Sequence, residues 1–377
     1  MFERVLVPLD GSTLAEQTLP YVEELTAALG SSVALLGVWE RGSGQGLRVF
    51  QGYLERMAAR MERSLKLRLA PQAQVTALVE KGSPAEEILR FAEEQDIDLI
   101  AMATHGRSGV SRWVLGSVAE KVVRSSYVPV LLVPPFTEAS ALPPGDLLQQ
   151  VLVPLDGSTL GEAALPLVET LATKLDMKVV LLEVIEAGKR VMEIDGRLVV
   201  GPYQSMDVLR ATVKDYLDRL QQGLQAKGVD TTMRVAEGDP AEVIVDVAVE
   251  SRTSLIVMST HGRTGVARWA YGSVADKVLH ASPVPVMLMR PSQLALSRVY
   301  LQGQPARICF NCGRITWKET VGPEDRCLTC RHHLHTCPNC AHYDGVRCLL
   351  QRPEATDLYP GVQCSVFAFR ENRVILR

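Results

Sequence analysis

The chain has 377 residues, of which 47% are hydrophobic, 22% charged and 5% aromatic. This composition is typical of globular proteins and excludes wholesale disorder, while the length suits two or three domains with separate cores. The formal net charge of -3 provides no overall attraction to nucleic acid or to an anionic membrane. No run approaches the roughly 18 apolar residues that span a bilayer, and Met1 precedes an apolar strand-like run rather than a basic signal, so we expect a cytoplasmic protein without a membrane partner.

An internal repeat organises the first 290 residues. The segment RVLVPLDGSTLAEQTLP, which begins at Arg4, recurs as QVLVPLDGSTLGEAALP from Gln150, an offset of 146 residues. A second segment begins MATHGRSGVSRW at Met102 and recurs as MSTHGRTGVARW from Met258, an offset of 156 residues. The second copy therefore carries ten extra residues, which lie between positions 184 and 238.

Each copy alternates short apolar runs with longer segments of helical period, which is the pattern of βαβ units. In the first copy the predicted strands are Val5–Leu9, Val33–Val38, Val75–Val79, Leu99–Ala103 and Val130–Val133. Right-handed crossovers between such strands give a doubly wound, five-stranded parallel sheet with its ligand site at the carboxyl ends of the strands. We expect two such α/β domains, at residues 1–137 and 148–292, and a small metal-stabilised domain at 305–377.

Two helix starts recur in the copies. Thr13 with Glu16, and Thr159 with Glu162, have the spacing of a capping box after the first strand. The segments 82–86 and 238–242 place a proline at the first helical position, directly after a capping residue. These signals predict the same first and third helices in both copies.

Two groups of residues follow strands and are expected to meet at the carboxyl edge of each sheet. The first is a Pro-Leu-Asp-Gly-Ser turn, whose aspartate can accept hydrogen bonds from a ribose hydroxyl or an adenine amino group. The second is a glycine-rich loop, whose backbone can approach phosphate oxygens and whose last Gly-Ser opens a helix with a dipole that favours anions. The candidate binding residues are Pro8, Asp10, Ser12, Met102, Ala103, Gly106, Gly109, Gly116 and Ser117 in the first copy, and Pro154, Asp156, Ser158, Met258, Ser259, Gly262, Gly265, Gly272 and Ser273 in the second.

These motifs resemble those of a tandem, UspA-like universal stress protein over roughly residues 1–290. The nucleotide motif of that family reads Gly-x2-Gly-x9-Gly-Ser/Thr, and the chain matches it at Gly106, Gly116 and Ser117, and again at Gly262, Gly272 and Ser273. It departs from the motif at the first glycine, which is Ala103 in one copy and Ser259 in the other. The resemblance implies an adenine nucleotide alpha hydrolase-like fold and ATP or another adenine nucleotide as the ligand. It also implies nucleoside contacts by Asp10 and Asp156, and an adenine pocket lined by Val38 and Val184.

Other residues of the loop have two interpretations. The glycines could form turns and nothing more. His105 and His261 fit a structural role, because a loop histidine often hydrogen-bonds the backbone. Four arginines could either neutralise phosphates or be solvated surface charges: Arg107, Arg112, Arg263 and Arg268. Trp113 and Trp269 are interpreted as apolar packing beside the loop.

Catalysis has little support in the sequence. Neither copy contains Gly-x4-Gly-Lys-Ser/Thr or a separate acidic motif for magnesium. Ser12, Asp10 and His105 fall in one expected pocket, but their residue types alone do not establish a catalytic triad. We therefore assign no catalytic residues and expect at most slow ATP hydrolysis.

The last strand of each copy is short, apolar and expected at a sheet edge: Val130–Val133 and Val286–Met289. Unpaired edges attract partners, and in the resembled family these strands form the dimer contact. The resemblance implies that the two copies pair within one chain as a pseudo-twofold dimer, which leaves a further homo-oligomer open.

All eight cysteines follow residue 308. Clustered Cys-x2-Cys pairs in a cytosolic protein indicate metal or redox chemistry rather than disulfides. Cys309 and Cys312, followed by Gly313, and the pair Cys327 and Cys330 have the spacing of a zinc ribbon, which the segment resembles. The candidate ligands for one zinc site and for a second, less regular one are Cys309, Cys312, Cys327, Cys330, Cys337, Cys340, Cys348 and Cys364.

Several alternatives are open for this tail. A histidine could replace a cysteine, and the ligands could interleave; the candidates are His332, His333, His335 and His342. Iron in a rubredoxin-like centre or a cluster, and redox-active thiols, are the other chemistries. Residues 305–377 contain ten Lys plus Arg against seven Asp plus Glu, and thiolate ligands offset that excess, so a protein partner is favoured over nucleic acid.

Together these features predict an ATP-binding stress-response or signalling protein whose tandem domains bind nucleotide and whose zinc-binding tail contacts a partner protein. Two alternatives stay open. One is a scaffold in which Ala103 and Ser259 close the pockets, and the other is an iron-containing redox carrier.

Overall fold

The computed structural model describes residues 2–40, 44–68, 70, 72–104, 115–126, 128–135, 146–158, 161–186, 191–194, 197–200, 206–259, 272–289, 306–308, 315–316 and 371–372. The chain divides into two compact units, one that contains both sequence copies and one formed largely by the C-terminal region. Over the described part of the chain, no helix has the length and apolar character needed to cross a membrane.

The first domain is a parallel sheet of five strands joined by helices. The strands are β1 (Arg4–Pro8), β2 (Ser32–Trp39), β3 (Val75–Lys81), β4 (Leu99–Ala103) and β5 (Val130–Val133). The helices are α1 (Thr13–Glu16), α2 (Leu19–Leu29), α3 (Gly44–Leu67), α4 (Pro84–Glu94) and α5 (Ser117–Ser125). The strand order is β3-β2-β1-β4-β5 with every neighbouring pair parallel, which confirms the doubly wound sheet predicted from the sequence.

The second domain repeats this architecture with one addition. Its strands are β6 (Gln150–Leu155), β7 (Lys178–Ile185), β8 (Val191–Ile194), β9 (Arg197–Val200), β10 (Thr231–Glu237), β11 (Leu255–Ser259) and β12 (Val286–Met289). Its helices are α6 (Leu165–Leu175), α7 (Met206–Gln225), α8 (Pro240–Glu250) and α9 (Ser273–Ala281). The parallel order is β10-β7-β6-β11-β12. The antiparallel hairpin of β8 and β9 lies between β7 and α7, within the stretch where the sequence predicts the ten extra residues.

The strands form because their side chains can be buried on both faces of the sheet. β4, with the sequence LIAMA, and β12, with the sequence VMLM, show no alternation of apolar and polar residues. Parallel strands covered by helices on both faces have such continuous apolar runs. One hydrophobic cluster extends through both domains and includes Leu6, Ile100 and Val122 from the first and Leu152, Ile256 and Val278 from the second.

The first helix begins one residue earlier than the capping-box pattern predicts. Ser12, and not Thr13, is the N-cap residue, and its Oγ accepts a hydrogen bond from the Ala15 amide at 3.2 Å. Gly11 precedes it with a φ of +84°, a left-handed conformation that favours glycine. Because this sharp turn directs the Ser12 hydroxyl toward the first helical amides, the cap forms at Ser12.

The second domain shows the same shift at its first helical segment. The Oγ of Ser158 accepts a hydrogen bond from the Gly161 amide at 3.0 Å. Residues 161–164 form a 3-10 turn before α6 begins, instead of the α-helix predicted to start at a capping box. Thr159, the predicted capping residue, lies outside the described residues. A serine that directly follows the Asp-Gly turn is thus the capping group in both domains.

The third long helix of each domain begins at the predicted proline, but the two N-caps differ. Ser83, at the N-cap of α4, makes no side-chain hydrogen bond to the helix within the described residues. Asp239, at the N-cap of α8, accepts hydrogen bonds at Oδ1 from the amides of Ala241 at 2.9 Å and Glu242 at 3.3 Å. Its Oδ2 also pairs with the Lys277 ammonium at 2.9 Å, which links α8 to α9.

Substitution of these two caps by alanine is expected to have unequal effects. Asp239→Ala should lower the free energy of unfolding by about 1 kcal/mol at pH 7, whereas Ser83→Ala should cost much less because its hydroxyl makes no cap bond. The bond from Lys277, together with the helix amides, lowers the pKa of Asp239. The stabilisation that the ionised Asp239 provides is therefore present above the ordinary aspartate pKa. It is lost as the pH falls through the lowered pKa of the folded protein. Urea unfolding of both variants at pH 7 and in acid measures these free energies. Equal losses of stability for the two variants at pH 7 would contradict the predicted difference between the caps.

The two sheets join into one sheet of ten strands through their last strands. β5 pairs antiparallel with β12, with Leu131 opposite Met287. The other neighbours within each five-stranded half are parallel, so the antiparallel pair marks the boundary between the domains. Helices α2 and α6 contact each other on one side of this boundary. The intramolecular pairing predicted for these strands is confirmed.

The segment that enters the second domain is attached to the first domain by a buried glutamate. Glu24, on α2, is 5% exposed. Its carboxylate accepts hydrogen bonds from the amides of Leu147 at 3.4 Å and Leu148 at 2.9 Å, and it lies 3.7 Å from the Arg68 guanidinium. Leu147 and Leu148 are themselves buried, so the carboxylate satisfies backbone donors that water does not reach.

The C-terminal unit contains a small antiparallel sheet in the order β14-β13-β15. The strands are β13 (Ala306–Ile308), β14 (Ile315–Thr316) and β15 (Glu371–Asn372). Ile308 is paired with Ile315, and Ala306 with Asn372. The eight cysteines and the four histidines of the predicted metal sites lie outside the described residues.

Candidate functional site

The carboxyl ends of two central strands lie side by side in each domain. β1 is flanked by β2 and β4. The chain leaves β1 toward β2 on one side, whereas it leaves β4 toward β5 on the other. Open α/β sheets bind their ligands at such a reversal of direction. β6 and β11 have the same relation in the second domain, so each domain has one candidate site.

A hydrogen-bonded turn holds an aspartate at the end of the first strand in each domain. Asp10 Oδ1 accepts hydrogen bonds from the Ser12 amide at 2.9 Å and the Ser12 hydroxyl at 2.6 Å. Asp156 Oδ1 accepts the same two bonds from Ser158, at 3.1 and 2.6 Å. Both aspartates are half-buried. Each carboxylate is therefore held in one orientation at the carboxyl edge of its sheet.

The two ends of the glycine-rich loop in the first domain are tied together at β4. The Thr104 amide donates a hydrogen bond to the Val133 carbonyl oxygen at 2.9 Å. The Thr104 carbonyl oxygen in turn accepts one from the Gly116 amide at 2.8 Å. The loop thus leaves and re-enters the fold at the end of β4, the strand next to the one that carries Asp10. Helix α1, which follows the Asp10 turn, contacts β4 as well.

The helices that follow these loops begin without a side-chain cap. Gly116 is the N-cap of α5 and Gly272 the N-cap of α9, and among the described residues no cap side chain accepts a bond from the first amides. The first turns begin at Ser117 and Ser273, where the first amides of a helix and the positive end of its dipole favour an anionic ligand. Glu120, in the first turn of α5, pairs with Arg124 one turn further along the helix at 2.6 Å.

Apolar side chains from the neighbouring strands border this edge. Val38 on β2 and Val184 on β7 are half-buried and pack against the hydrophobic cluster. The remaining predicted strand residues also lie at or next to the strand ends: Pro8, Met102 and Ala103 in the first domain, and Pro154, Met258 and Ser259 in the second. Ser259 is 8% exposed, whereas Ala103 is half-buried.

Part of each predicted loop lies outside the described residues. This applies to Gly106, Gly109, Gly262 and Gly265, to His105 and His261, and to the four arginines and two tryptophans of the loops. In the first domain the described residues thus bring together the aspartate turn, the strand ends and the start of α5. In the second domain they bring together the aspartate turn and the strand ends.

The second domain also contains a buried acidic group that the sequence analysis missed. Glu183 lies near the carboxyl end of β7 and is fully buried. Burial raises the pKa of Tyr216, on α7, and three carboxylates raise it further: Glu162, Glu183 and Asp156. The repeat places Gly37 at the matching position of the first domain. The sequence signal was a single acidic residue within the largely apolar strand KVVLLEVI.

Other described features of the second domain do not form an obvious metal or anion site. Within the described ranges, no group of three or more His, Cys, Asp or Glu side chains is arranged to hold a metal ion. A groove of about 300 Å³ at the end of β10 is lined by Arg210, Lys214, Val235, Ala236 and Glu237. Arg210 pairs with Glu237 at 2.6 Å and Lys214 with Asp218 at 2.6 Å, so both cations are already neutralised.

Comparisons with known proteins agree with this architecture. The sequence profile of the Universal stress protein family matches residues 1–134 and 148–290. A universal stress protein of Mycobacterium tuberculosis is 27% identical over 260 residues, which cover 68% of this chain and 80% of the relative. One from Methanocaldococcus jannaschii is 29% identical over 154 residues, which cover 35% of this chain and 95% of the relative. The crystal structure of a universal stress protein from Archaeoglobus fulgidus has a TM-score of 0.56 at 21% identity, and the match covers 76% of this chain and 96% of that one. The chain therefore belongs to the universal stress protein family, and it carries two copies of the family's domain.

Proposed function

We propose that each domain binds an adenine nucleotide, such as ATP, and that the protein acts in the cytoplasm in a stress response or in signalling. One observation carries this proposal. In both domains an aspartate fixed at the end of a central strand is followed, one strand away, by a helix that begins without a side-chain cap. Either feature alone can belong to an ordinary turn or helix start, but their occurrence at neighbouring strand ends in both domains suits a ligand with a hydroxyl-bearing sugar and a phosphate.

The aspartate turn would bind the nucleoside. Ser12 occupies one oxygen of Asp10 and thereby orients the carboxylate, which can accept a hydrogen bond from a ribose hydroxyl or an adenine amino group. Val38, half-buried beside it on β2, offers an apolar surface to the base. Asp156, Ser158 and Val184 repeat this arrangement in the second domain.

The start of α5 or α9 would bind phosphate. The amides that begin at Ser117 and Ser273 supply donors, and the glycine N-caps let phosphate oxygens approach the backbone. Ala103 and Ser259 replace the first glycine of the family motif, so each adds a β-carbon near the ribose. Because the sequence contains no Gly-x4-Gly-Lys-Ser/Thr motif, we propose binding with at most slow hydrolysis.

Loss of either aspartate carboxylate is expected to weaken one site and leave the other intact. Asp10→Asn and Asp156→Asn should each lower ATP affinity at one site about 10- to 100-fold, the usual value of a hydrogen bond to a charged group. Isothermal titration calorimetry of the full chain should show two sites in the parent and one strong site in each variant. Asp246→Asn, on the exposed face of α8, is the charge-matched control and should bind as the parent does. Nucleotide released by denaturing the purified protein would be identified by chromatography.

Two results would sink the nucleotide proposal. One is a parent protein that contains no nucleotide and binds no added ATP. The other is an affinity that both asparagine substitutions leave unchanged.

We further propose that the C-terminal unit binds zinc through its cysteines and contacts a partner protein. Cys309 and Cys312 lie in the connection of residues 309–314, between the paired strands β13 and β14. A Cys-x2-Cys pair in a short connection between two paired strands suits a tetrahedral thiolate site. β15 pairs with β13, so the segment that holds all eight cysteines begins and ends at neighbouring strands. Cys327 and Cys330 would complete the first site, and Cys337, Cys340, Cys348 and Cys364 would supply a second.

Elemental analysis of the purified chain is expected to find one or two equivalents of zinc. A chelator should remove the metal and make the region after residue 291 sensitive to protease, because metal binding supplies folding free energy to small domains. Cys309→Ser should lower the zinc content by about one equivalent, since a four-thiolate site loses a ligand. A coloured protein that contains iron, or one without metal whose tail resists protease, would contradict the zinc assignment.

A further inference from the structure

The first domain carries a basic face on its long helix α3. This helix has five arginine and lysine residues against two glutamates, whereas α7, the corresponding helix of the second domain, has three basic and three acidic residues. All five cations of α3 are exposed: Arg48, Arg56, Arg60, Arg63 and Lys66. The chain as a whole has a net charge of -3. An anionic partner would therefore be attracted to this helix and not to the chain as a whole.

Three of these cations belong to one straight stripe along the helix. The stripe has an apolar residue at each end and three arginines between them, at intervals of seven, four, three and four residues: Val49, Arg56, Arg60, Arg63 and Leu67. Such intervals keep side chains on one face of a helix. The buried side chains occupy the opposite face: Phe50, Leu54, Ala58, Met61 and Leu65. At 1.5 Å per residue, the stripe is about 27 Å long.

The cations of α3 are not neutralised by neighbouring carboxylates. Within the ranges that the structure describes, none of the five forms an ion pair. On α7, by contrast, Lys214 pairs with Asp218 at 2.6 Å and Arg210 with Glu237 at 2.6 Å. The row of arginines on α3 therefore keeps its charge for a partner outside this part of the chain.

The two ends of the stripe indicate which kind of anion fits it. Val49 is 67% exposed and Leu67 is 86% exposed. A bilayer of anionic phospholipids offers phosphates to the arginines, which bind them through paired hydrogen bonds, and an apolar boundary to the valine and the leucine. The sugar-phosphate backbone of a nucleic acid has no comparable apolar region. A basic stripe with apolar ends thus suits a lipid surface better than a nucleic acid.

We infer that the exposed face of α3 is a docking surface for a membrane of anionic phospholipids. The helix lies flat on the headgroups, with its arginines at the lipid phosphates and with Val49 and Leu67 at the edge of the acyl region. Its buried face stays packed in the first domain, so the protein binds at the surface and does not cross the bilayer. The expectation of no membrane partner rested on the net charge and on the lack of a spanning run, and neither bears on a local surface contact. Nucleotide binding is not required for this contact.

Sedimentation of the full chain with lipid vesicles tests this inference. The parent should bind vesicles of mixed phosphatidylglycerol and phosphatidylcholine but not vesicles of phosphatidylcholine alone, and added salt should weaken the binding. Each basic residue near an anionic surface is worth about five-fold in affinity, so Arg56→Gln combined with Arg63→Gln should lower the binding about 25-fold. Leu67→Gln should lower it about ten-fold, because a leucine side chain no longer leaves water.

The matched control removes two cations from the second domain. Lys227→Gln combined with Arg234→Gln changes the net charge equally, and these residues pair with Glu169 and Glu250 on the surface. This variant should bind vesicles as the parent does, and circular dichroism verifies that all variants are folded. A parent that binds no anionic vesicles, or binds neutral ones equally well, would overturn the inference. So would a loss of binding as large in the control as in the arginine variant. Binding to duplex DNA or RNA without binding to vesicles would overturn the assignment to lipid.

Discussion

Leu131→Asp is expected to lower the free energy of unfolding by about 4 kcal/mol or more. Leu131 is 1% exposed and lies opposite Met287, which has no exposed surface, at the junction of the two sheets. The substitution removes a buried apolar side chain and places a carboxylate where β5 meets β12. Neither the lost apolar contact nor the buried carboxylate can be relieved by a side-chain movement alone, because β5 is paired on both sides, by β4 and by β12.

Urea unfolding followed by far-ultraviolet circular dichroism measures this loss, and size-exclusion chromatography detects expansion of the chain. The matched control is Leu67→Asp, since Leu67 is 86% exposed at the last turn of α3. That change should cost at most about 1 kcal/mol, through the added negative charge at a helix C-terminus. Equal effects of the two substitutions would show that the strand junction does not contribute to stability.

Glu24→Ala is expected to lower the free energy of unfolding by about 2 to 4 kcal/mol. The change leaves the amides of Leu147 and Leu148 buried without the carboxylate that accepts their hydrogen bonds. It also removes a negative charge from beside Arg68, whose side chain is 14% exposed. Glu24→Gln should cost less, because its carbonyl oxygen can still accept one of the bonds.

A glutamate on the corresponding helix of the second domain provides the control. Glu169, on α6, pairs with Lys227 at 2.6 Å on the surface. Glu169→Ala should cost no more than about 1 kcal/mol, as is usual for exposed ion pairs. Thermal unfolding at one pH and salt concentration compares the three variants with the parent. A loss for Glu24→Ala as small as that for Glu169→Ala would refute the role of the carboxylate in holding the linker.

Much of the fold could be predicted from the sequence because it depends on local and periodic signals. The repeat, the apolar strands and the prolines at the start of α4 and α8 place the five parallel strands of each domain and these two helices to within a few residues, whereas the hairpin of β8 and β9 was not predicted. The Asp10 turn and the glycine-rich loop were predicted to follow neighbouring strand ends, and the structure pairs the strands that they follow, β1 and β4. The cap at Ser12 was assigned to Thr13, because a capping-box pattern does not register the turn that Gly11 makes before it.

The differences between the two sites were less visible in the sequence. Glu183 is one acidic residue in a largely apolar strand, and pattern analysis does not reveal whether such a residue faces solvent or is fully buried, as it is here. Its surroundings include Tyr216 on α7, whose pKa it helps to raise. Gly37 likewise looks like an ordinary strand glycine until Phe50 and Leu54 are found packed against it.

The sequence by itself determined the tandem α/β architecture and the two aspartate turns, because hydrophobic periodicity, turn chemistry and the internal repeat are encoded within short segments. Only the tertiary structure decided which side chains meet across long stretches of chain. Glu24 and Leu148 are 124 residues apart in the sequence, and the hydrogen bond between them exists because α2 lies where the linker enters the second domain. Such contacts depend on how whole elements pack. Burial then makes each one important for stability, since a polar group removed from water must find its hydrogen-bond partner within the protein.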